Sequence, residues 1–379
     1  MNDSLAIEIS VDDQRLDLLE NGRVVASYTI STAAKGVGFV TGSFRTPTGR
    51  FRVVEKIGQN ELSGTVFRKR EPQGRWLPGH LTSEDLVLTR ILRLEGLDPE
   101  NANTRERCIY IHGTNRVECL GRPASRGCVR MDNAEMMELF GRVPVGTPLV
   151  IHPPTRKRGK LIFLDCDSTL SEIEGIDELA RACGPEIFGE VAALTTAAMN
   201  GEVPIDEVFG RRMELIRPTQ LMADRIAIRY LEQVTPGMPE LVSGLQARGW
   251  LTVILSGGFA PVIEPLARML GINDVEAVPL YFDDNGDYAG YGEDYPTTRT
   301  GGKNELIREW KRALLPERVV MMGDGVSDLE TKEEVDMFVA FGGVVARERV
   351  RKGADHWVSG TMDVARLLEI IDGSPARMI

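Results

Sequence analysis

The stretch Leu161-Ile-Phe-Leu-Asp-Cys-Asp-Ser-Thr-Leu170 constrains this chain more than any other. Four consecutive apolar residues fit a strand buried on both faces, as in a parallel sheet. Asp165 and Asp167 stand at its end, one residue apart, followed by the hydroxyls of Ser168 and Thr169. Aspartate is poor in strands and neighbouring carboxylates repel, so stability alone does not favour the arrangement. A bound cation would remove the conflict and give both groups a task. Taken alone, a strand followed by an Asp-rich turn accounts for the stretch equally well.

With 379 residues the chain exceeds one ordinary core, and two domains are expected. The break falls at Pro153-Pro-Thr-Arg-Lys-Arg-Gly-Lys160, where two prolines end a strand and three basic residues in a row discourage burial. We therefore expect domains at 1–155 and 156–379. The first carries 20 basic and 19 acidic residues, the second 25 and 37. So acidic a second half argues against nucleic acid as a partner. No apolar run reaches about 18 residues, which argues against a membrane span. The N-terminus lacks a basic and apolar leader pattern, and five cysteines without framework spacing (Cys108, Cys119, Cys128, Cys166, Cys183) suit a reducing compartment. A cytoplasmic location is the expectation.

The first domain reads as mainly β. Alternation over 5–11 and 15–19, the turn Glu20-Asn-Gly-Arg23 and the run 24–30 describe a hairpin. Further strands are expected at 51–57, 108–112 and 147–152, and a short helix at 132–140 capped by Asp132 or Asn133. Residues 59–80 read as loop and 81–95 as extended or mixed. Beyond the break, strands at 161–164, 251–256, 318–323 and 337–341 alternate with helical patterns, the signature of a parallel, Rossmann-like α/β sheet. The segment between the first two strands is longer than a crossover helix needs, so a helical cap is expected at about 176–240. Tyr281 to Gly290 reads as a hairpin turning at Asn285-Gly286.

Ligands of open α/β sheets bind beyond the carboxyl ends of the strands. Candidate chemistry recurs there: Asp165 and Asp167, then Ser256-Gly257-Gly258, then Gly301-Gly-Lys303 opening a helix, then Gly323-Asp-Gly-Val-Ser-Asp328. Glycines let backbone N–H groups approach an anion, and a lysine at a helix start is unfavourable unless an anion joins it. Four such places in this order resemble the ordered motifs of the haloacid-dehalogenase superfamily. More narrowly, residues 159–379 resemble the phosphoserine phosphatases. They share Glu174-Gly-Ile-Asp-Glu-Leu-Ala180, Met199, Pro236-Gly237, Thr300-Gly-Gly-Lys303 and Phe341-Gly-Gly343 with that family; Ser327 departs from it, standing where many relatives have asparagine.

The resemblance implies Mg²⁺-dependent hydrolysis of O-phospho-L-serine, a small phosphomonoester, through an aspartyl-phosphate. Asp165 would be the nucleophile, Asp167 the general acid and then base, and Lys303 a phosphoryl-binding catalytic group with Ser256 and Gly257. Asp165, the Asp167 carbonyl and Asp324 would hold the metal, with Asp328 ordering its water shell. Glu174 would meet the substrate ammonium, Arg212 its carboxylate, and Met199 its apolar side. On spacing alone Arg212 and its neighbour Arg211 are not distinguished.

A second group comprises His112-Gly-Thr and Ser125-Arg-Gly-Cys128-Val-Arg130-Met131. A cysteine after a glycine turn, with arginines on either side and a histidine on a nearby strand, suits a low-pKa thiolate; a buried inert cysteine is the alternative. With Thr46-Pro-Thr-Gly49 upstream, residues 1–155 resemble the L,D-transpeptidase (YkuD-type) catalytic domains. The resemblance makes Cys128 the nucleophile and His112 the base. Gly127 and the Cys128 N–H would form an oxyanion hole, Arg130 would position substrate, and a peptidoglycan stem peptide would be the partner. Arg126 stands where this family often has histidine, and such cross-linking takes place outside the cytoplasm. Two other readings stay open: a transpeptidase with an accessory phosphatase, or a phosphatase with a non-catalytic peptide-binding module.

Overall fold

The computed structural model describes residues 5–80, 82, 84–156, 159–199, 203, 205–361 and 363–373, the side chains of 199, 205 and 206 excepted. The chain divides into two compact units, Met1–Lys157 with Glu309–Leu315, and Arg158–Arg308 with Pro316–Ile379. No described helix is long and apolar enough to cross a membrane.

The first unit is built on β1 (Leu5–Ser10), β2 (Arg15–Glu20), β3 (Arg23–Ser31), β4 (Gly49–Ile57), β5 (Thr65–Arg68), β6 (Glu71–Arg75), β7 (Val87–Gly96), β8 (Tyr110–Gly113), β9 (Val129–Met131) and β10 (Pro148–His152). Their order is β4-β10-β1-β2-β3-β9-β8-β7-β5-β6, and β4 also pairs with β7. That extra pairing closes the sheet into a barrel, so the long strands have no free edge. Alternate residues Ile7, Ile9, Leu16, Leu18 and Phe51 fill its core. Asn21 and Gly22 are both left-handed, as a two-residue hairpin of this twist requires. Helix α1 (Asn133–Arg142) is capped by the Asp132 carboxylate, which accepts from the Ala134 and Glu135 N–H groups.

Residues 59–80, expected as loop, contain the β5–β6 hairpin instead. Every residue of β6 is exposed, so no apolar alternation marks it. Strand β9, three residues long, was equally invisible to a period-two reading. The start of the expected linker is tied down: the Thr155 N–H and hydroxyl donate to Asp12 at 2.7 and 2.8 Å, and Arg156 pairs with Asp13. Lys157 and Arg158 lie outside the described residues.

In the second unit, β11 (Lys160–Leu164), β12 (Trp250–Phe259), β13 (Asp274–Val278), β16 (Arg318–Gly323), β17 (Met337–Phe341) and β18 (His356–Val358) form a parallel sheet, β13-β12-β11-β16-β17-β18. The order reverses direction between β11 and β16, the switch point at which α/β sheets open a crevice. Strands β14 (Leu280–Phe282) and β15 (Tyr288–Tyr291) make the hairpin expected around Asn285-Gly286. Strands β13 and β18 are additions to the expected set.

Between β11 and β12 run α2 (Gly175–Ala182), α3 (Pro185–Met199), α4 (Ile205–Ile216), α5 (Gln220–Glu232) and α6 (Met238–Ala247). Helix α2 packs on α3, α4 and α5, and α5 packs on α7 (Ala260–Met269), which flanks β12 and β13. Phe209 of α4 reaches Phe259 at the end of β12, ring centroids 5.9 Å apart, and Tyr291 of β15 at 5.3 Å. These ring contacts hold α4 over the strand ends.

Leu164, fully buried in the central strand, tests this core. Leu164→Ala should cost about 2–5 kcal/mol, read as a lower urea midpoint of the unfolding transition. A shift worth under about 0.5 kcal/mol would contradict the packing described.

Candidate active site

At the end of β11 the Asp165 N–H makes a last ladder bond to the Met322 carbonyl of β16, 2.9 Å. The Cys166 carbonyl then accepts from the N–H groups of Thr169, Leu170 and Ser171, which turns the chain back tightly. Cys166 enters the core with no exposure, while residues 165 and 167 alternate to the other side. Both aspartates thereby line a cavity of about 340 Å³ over the switch point.

Oxygens of Asp165, Asp324 and Asp328 lie within 4.8 Å of one another, all three residues buried. Lys303, near the start of α8 (Gly302–Leu314), places its Nζ 2.6 Å from both Asp165 Oδ1 and Asp328 Oδ1. The Gly325 N–H donates to Asp328 Oδ2 at 2.9 Å. Residue 323 must be glycine, because a Cβ there would overlap the Asp328 carboxyl. Burial and the Asp328 charge push Asp165 well above the usual carboxylate range despite Lys303. Burial and Asp328 likewise raise Asp324 to about 7. Burial alone would lower Lys303, but Asp165 and Asp328 outweigh it and keep the ammonium protonated. Lys303, with Arg347 on Asp324, still leaves three carboxylates short of neutral, and a hard cation among their oxygens would fit the donor set.

The Asp167 carboxylate lies apart from this triad. Its Oδ1 accepts from the Tyr230 hydroxyl and its Oδ2 from the Gly175 N–H at 3.0 Å. Glu174 accepts from the Ser168 hydroxyl at 2.7 Å, and burial with the charges of Asp167 and Asp324 raises it to about 8. Arg347 stands 3.1 Å from Asp324 and 3.6 Å from Glu174. Ser256 is buried and its Oγ accepts from the Gly258 N–H at 2.9 Å; Gly257 and Ser327 line the same cavity.

Arg212 is buried in the cavity wall, whereas Arg211 is exposed, so the structure separates two residues that spacing could not. One Arg212 Nη donates to Thr195 Oγ1 at 3.3 Å; its Nε has no hydrogen-bond partner, and burial lowers its pKa to about 10. A buried guanidinium with an unused donor wants an anion. The Met199 side chain lies outside the described residues. Sequence reasoning missed Tyr230, Arg347 and Thr195. Each sits in a helix or loop whose local pattern carries no sign of the cavity.

In the first unit the parallel register pairs His112 with Arg130 and Ile111 with Val129. Cys128, two residues before Arg130, therefore falls on the same face as His112. Thr46 donates to the Gly127 carbonyl at 2.9 Å and holds the Cys128 loop. Arg130 is ion-paired with Asp85. His112 Nδ1 lies 2.7 Å from the Gly113 carbonyl, a bond that needs the proton on Nδ1 and leaves Nε2 as acceptor.

Two expectations change here. Burial pushes the Cys128 thiol up to about 11, with Asp85 adding to the effect and Arg130 too engaged to reverse it, so the resting sulfur is a thiol. Its S–H donates to the Cys108 carbonyl at 3.3 Å. The Gly127 N–H, expected in an oxyanion hole, donates to Ser125 Oγ at 3.2 Å.

A family model of the L,D-transpeptidase catalytic domain matches residues 4–151, and one of haloacid dehalogenase-like hydrolases matches 160–336. The phosphoserine phosphatase of Bos taurus is 38% identical over 210 residues, 55% of this chain and 92% of that protein. That of Mus musculus is 36% identical over 226 residues, 58% of this chain and 100% of that protein. A solved structure described as a phospho-aspartyl intermediate analogue of phosphoserine phosphatase is 25% identical, with a TM-score of 0.50, covering 57% of this chain and 100% of that one. The fold also matches a phosphoserine phosphohydrolase-like protein from Francisella tularensis, with a TM-score of 0.51 at 24% identity, over 55% of this chain and 99% of that one. The chain, a hydrolase carrying an L,D-transpeptidase (YkuD-type) domain at residues 4–151, belongs to the phosphoserine phosphatase family of haloacid dehalogenase-like hydrolases.

Proposed function

We propose that residues 156–379, with a cap at about 176–240, hydrolyse O-phospho-L-serine to L-serine and phosphate through an aspartyl-phosphate on Asp165. The observation that carries this reading is the buried group of Asp165, Lys303, Asp324 and Asp328 at the sheet's switch point, with Ser256 in the same cavity. The names of the relatives and the phospho-aspartyl analogue of a solved one agree with it.

Asp165 attacks phosphorus as the bond from phosphorus to the serine oxygen breaks, and Asp167 delivers its proton to that oxygen. Asp167, now a carboxylate, takes a proton from the water that attacks phosphorus and frees Asp165. Ser256, the Gly257 N–H and Lys303 hold the phosphoryl oxygens while charge develops on them. Glu174 receives the substrate ammonium and Arg212 its carboxylate, which supplies the anion its unused donor lacks. Asp165, the Asp167 carbonyl and Asp324 would hold Mg²⁺, with Asp328 beside them. When bound, that ion would offset the carboxylate charge and polarise the phosphoryl group.

For residues 1–155 we infer a cysteine acyltransferase acting on a peptidoglycan stem peptide. What favours this over a purely binding module is the Nδ1 bond of His112, on the face that also carries Cys128, which leaves Nε2 able to accept a proton. The thiol is then activated by that transfer during reaction and not by standing ionisation.

Three outcomes are expected. Phosphate release from phosphoserine should stop on chelation, return with Mg²⁺, and fall at least about a thousandfold in Asp165→Asn; an active Asp165→Asn chain would remove the proposed nucleophile. Arg212→Ala should raise KM for phosphoserine about 10- to 100-fold and leave a monoester without a carboxylate within about twofold; an equal change on both would move the carboxylate site elsewhere. Iodoacetamide at pH 7.5 should label exposed Cys108 before Cys128, as followed by mass spectrometry. Cys128 labelling should grow about tenfold per pH unit towards pH 11, because only the thiolate reacts. Preferential labelling of Cys128 at pH 7 would contradict a raised pKa.

A further inference from the structure

Tyr230 has no role in the reaction as written above, yet it touches the group that moves the proton. It lies on α5, about 1% exposed, and its hydroxyl donates to Asp167 Oδ1. The Gly175 N–H, at the start of α2, donates to Oδ2 at 3.0 Å. The carboxylate is therefore held at both oxygens, from two different helices. Room for the hydroxyl depends on residue 175 being glycine, since a Cβ there would overlap the Tyr230 oxygen. The second oxygen points towards the phosphate-binding turn. A Cβ placed on Gly258 would lie 3.7 Å from Asp167 Oδ2 and 3.2 Å from Ser256 Oγ.

A buried tyrosine hydroxyl needs some hydrogen-bond partner, and any backbone carbonyl would serve. Here the partner is the side chain proposed to protonate the leaving group, whose Cβ–Cγ torsion would otherwise let the carboxyl plane turn. We propose that Tyr230 is a positioning residue for ester cleavage: its hydroxyl anchors Asp167 Oδ1 so that Oδ2 faces the leaving oxygen beside Ser256. The inference rests on the phosphomonoesterase reading above. The proton passes from Oδ2 to the leaving oxygen, which keeps the electron pair of the broken phosphorus–oxygen bond. Tyr230 retains its own proton throughout and touches neither substrate nor phosphorus, so it acts only through Asp167.

A well-aimed acid matters most for a basic leaving group and little for one that departs as a stable anion. The full chain with Mg²⁺ is therefore assayed on phosphoserine, phenyl phosphate and p-nitrophenyl phosphate. The quantity read is kcat/KM, which covers the steps up to ester cleavage and omits the later attack of water. Tyr230→Phe keeps the ring in place and should lower kcat/KM for phosphoserine about tenfold, for phenyl phosphate less, and for p-nitrophenyl phosphate by under about twofold. Gly175→Ala, whose methyl displaces the hydroxyl by a separate route, should give the same ranking. Thermal melting of both variants checks that they remain folded. An equal fall on all three esters, or no fall on phosphoserine, overturns the proposal while the phosphatase reading stands. A wild-type chain inactive on all three esters overturns that reading and this proposal with it.

Discussion

The crowding of carboxylates at the ends of β11 and β16 is the constraint around which the second unit is arranged. A parallel sheet brings the carboxyl ends of its strands together, and the reversal of strand order leaves space above the central pair. Asp165 and Asp324 follow directly after those two strands, and Asp328 returns to them from a short helix. Buried carboxylates this close repel one another, and cations placed among them relieve the conflict. Lys303, from a different helix, supplies one and bonds equally to two of the acids. The glycine at 323 and the turn closed on Cys166 serve the same end, holding charged side chains close without a clash.

Asp165 and Asp167 are separated by one residue, yet their surroundings differ. Asp165 faces an ammonium and two other acids, while Asp167 accepts two hydrogen bonds from neutral donors. The former setting agrees with the nucleophile proposed for Asp165, and the latter with the proposed acid held at a fixed angle. The first unit is arranged differently. Its sheet is closed, its cysteine falls on the same face as a histidine that bonds a backbone carbonyl through Nδ1, and burial raises the thiol's pKa despite Arg130.

Much of this could be read along the chain. The buried strand at 161–164, the Asn-Gly turns at 21–22 and 285–286 and the Asp132 cap are short-range signals with short-range causes. The four phosphatase motifs were legible because each is a strand end or helix start joined to a reactive residue. The β5–β6 hairpin was not, because an exposed strand needs no apolar alternation. Tyr230 and Arg347 were not, since a tyrosine on a helix and an arginine in a loop are ordinary residues until folding delivers them to Asp167 and Asp324.

The sequence by itself determined the two-part plan, the parallel character of the second sheet and the residue types gathered at its strand ends. These follow from periodicity, turn chemistry and the cost of placing charge near a core. Only the tertiary structure decided which arginine enters the cavity, which groups grip Asp167, and whether Cys128 rests as thiol or thiolate. Those outcomes depend on burial and on charges far apart in the chain, and local sequence carries no record of either.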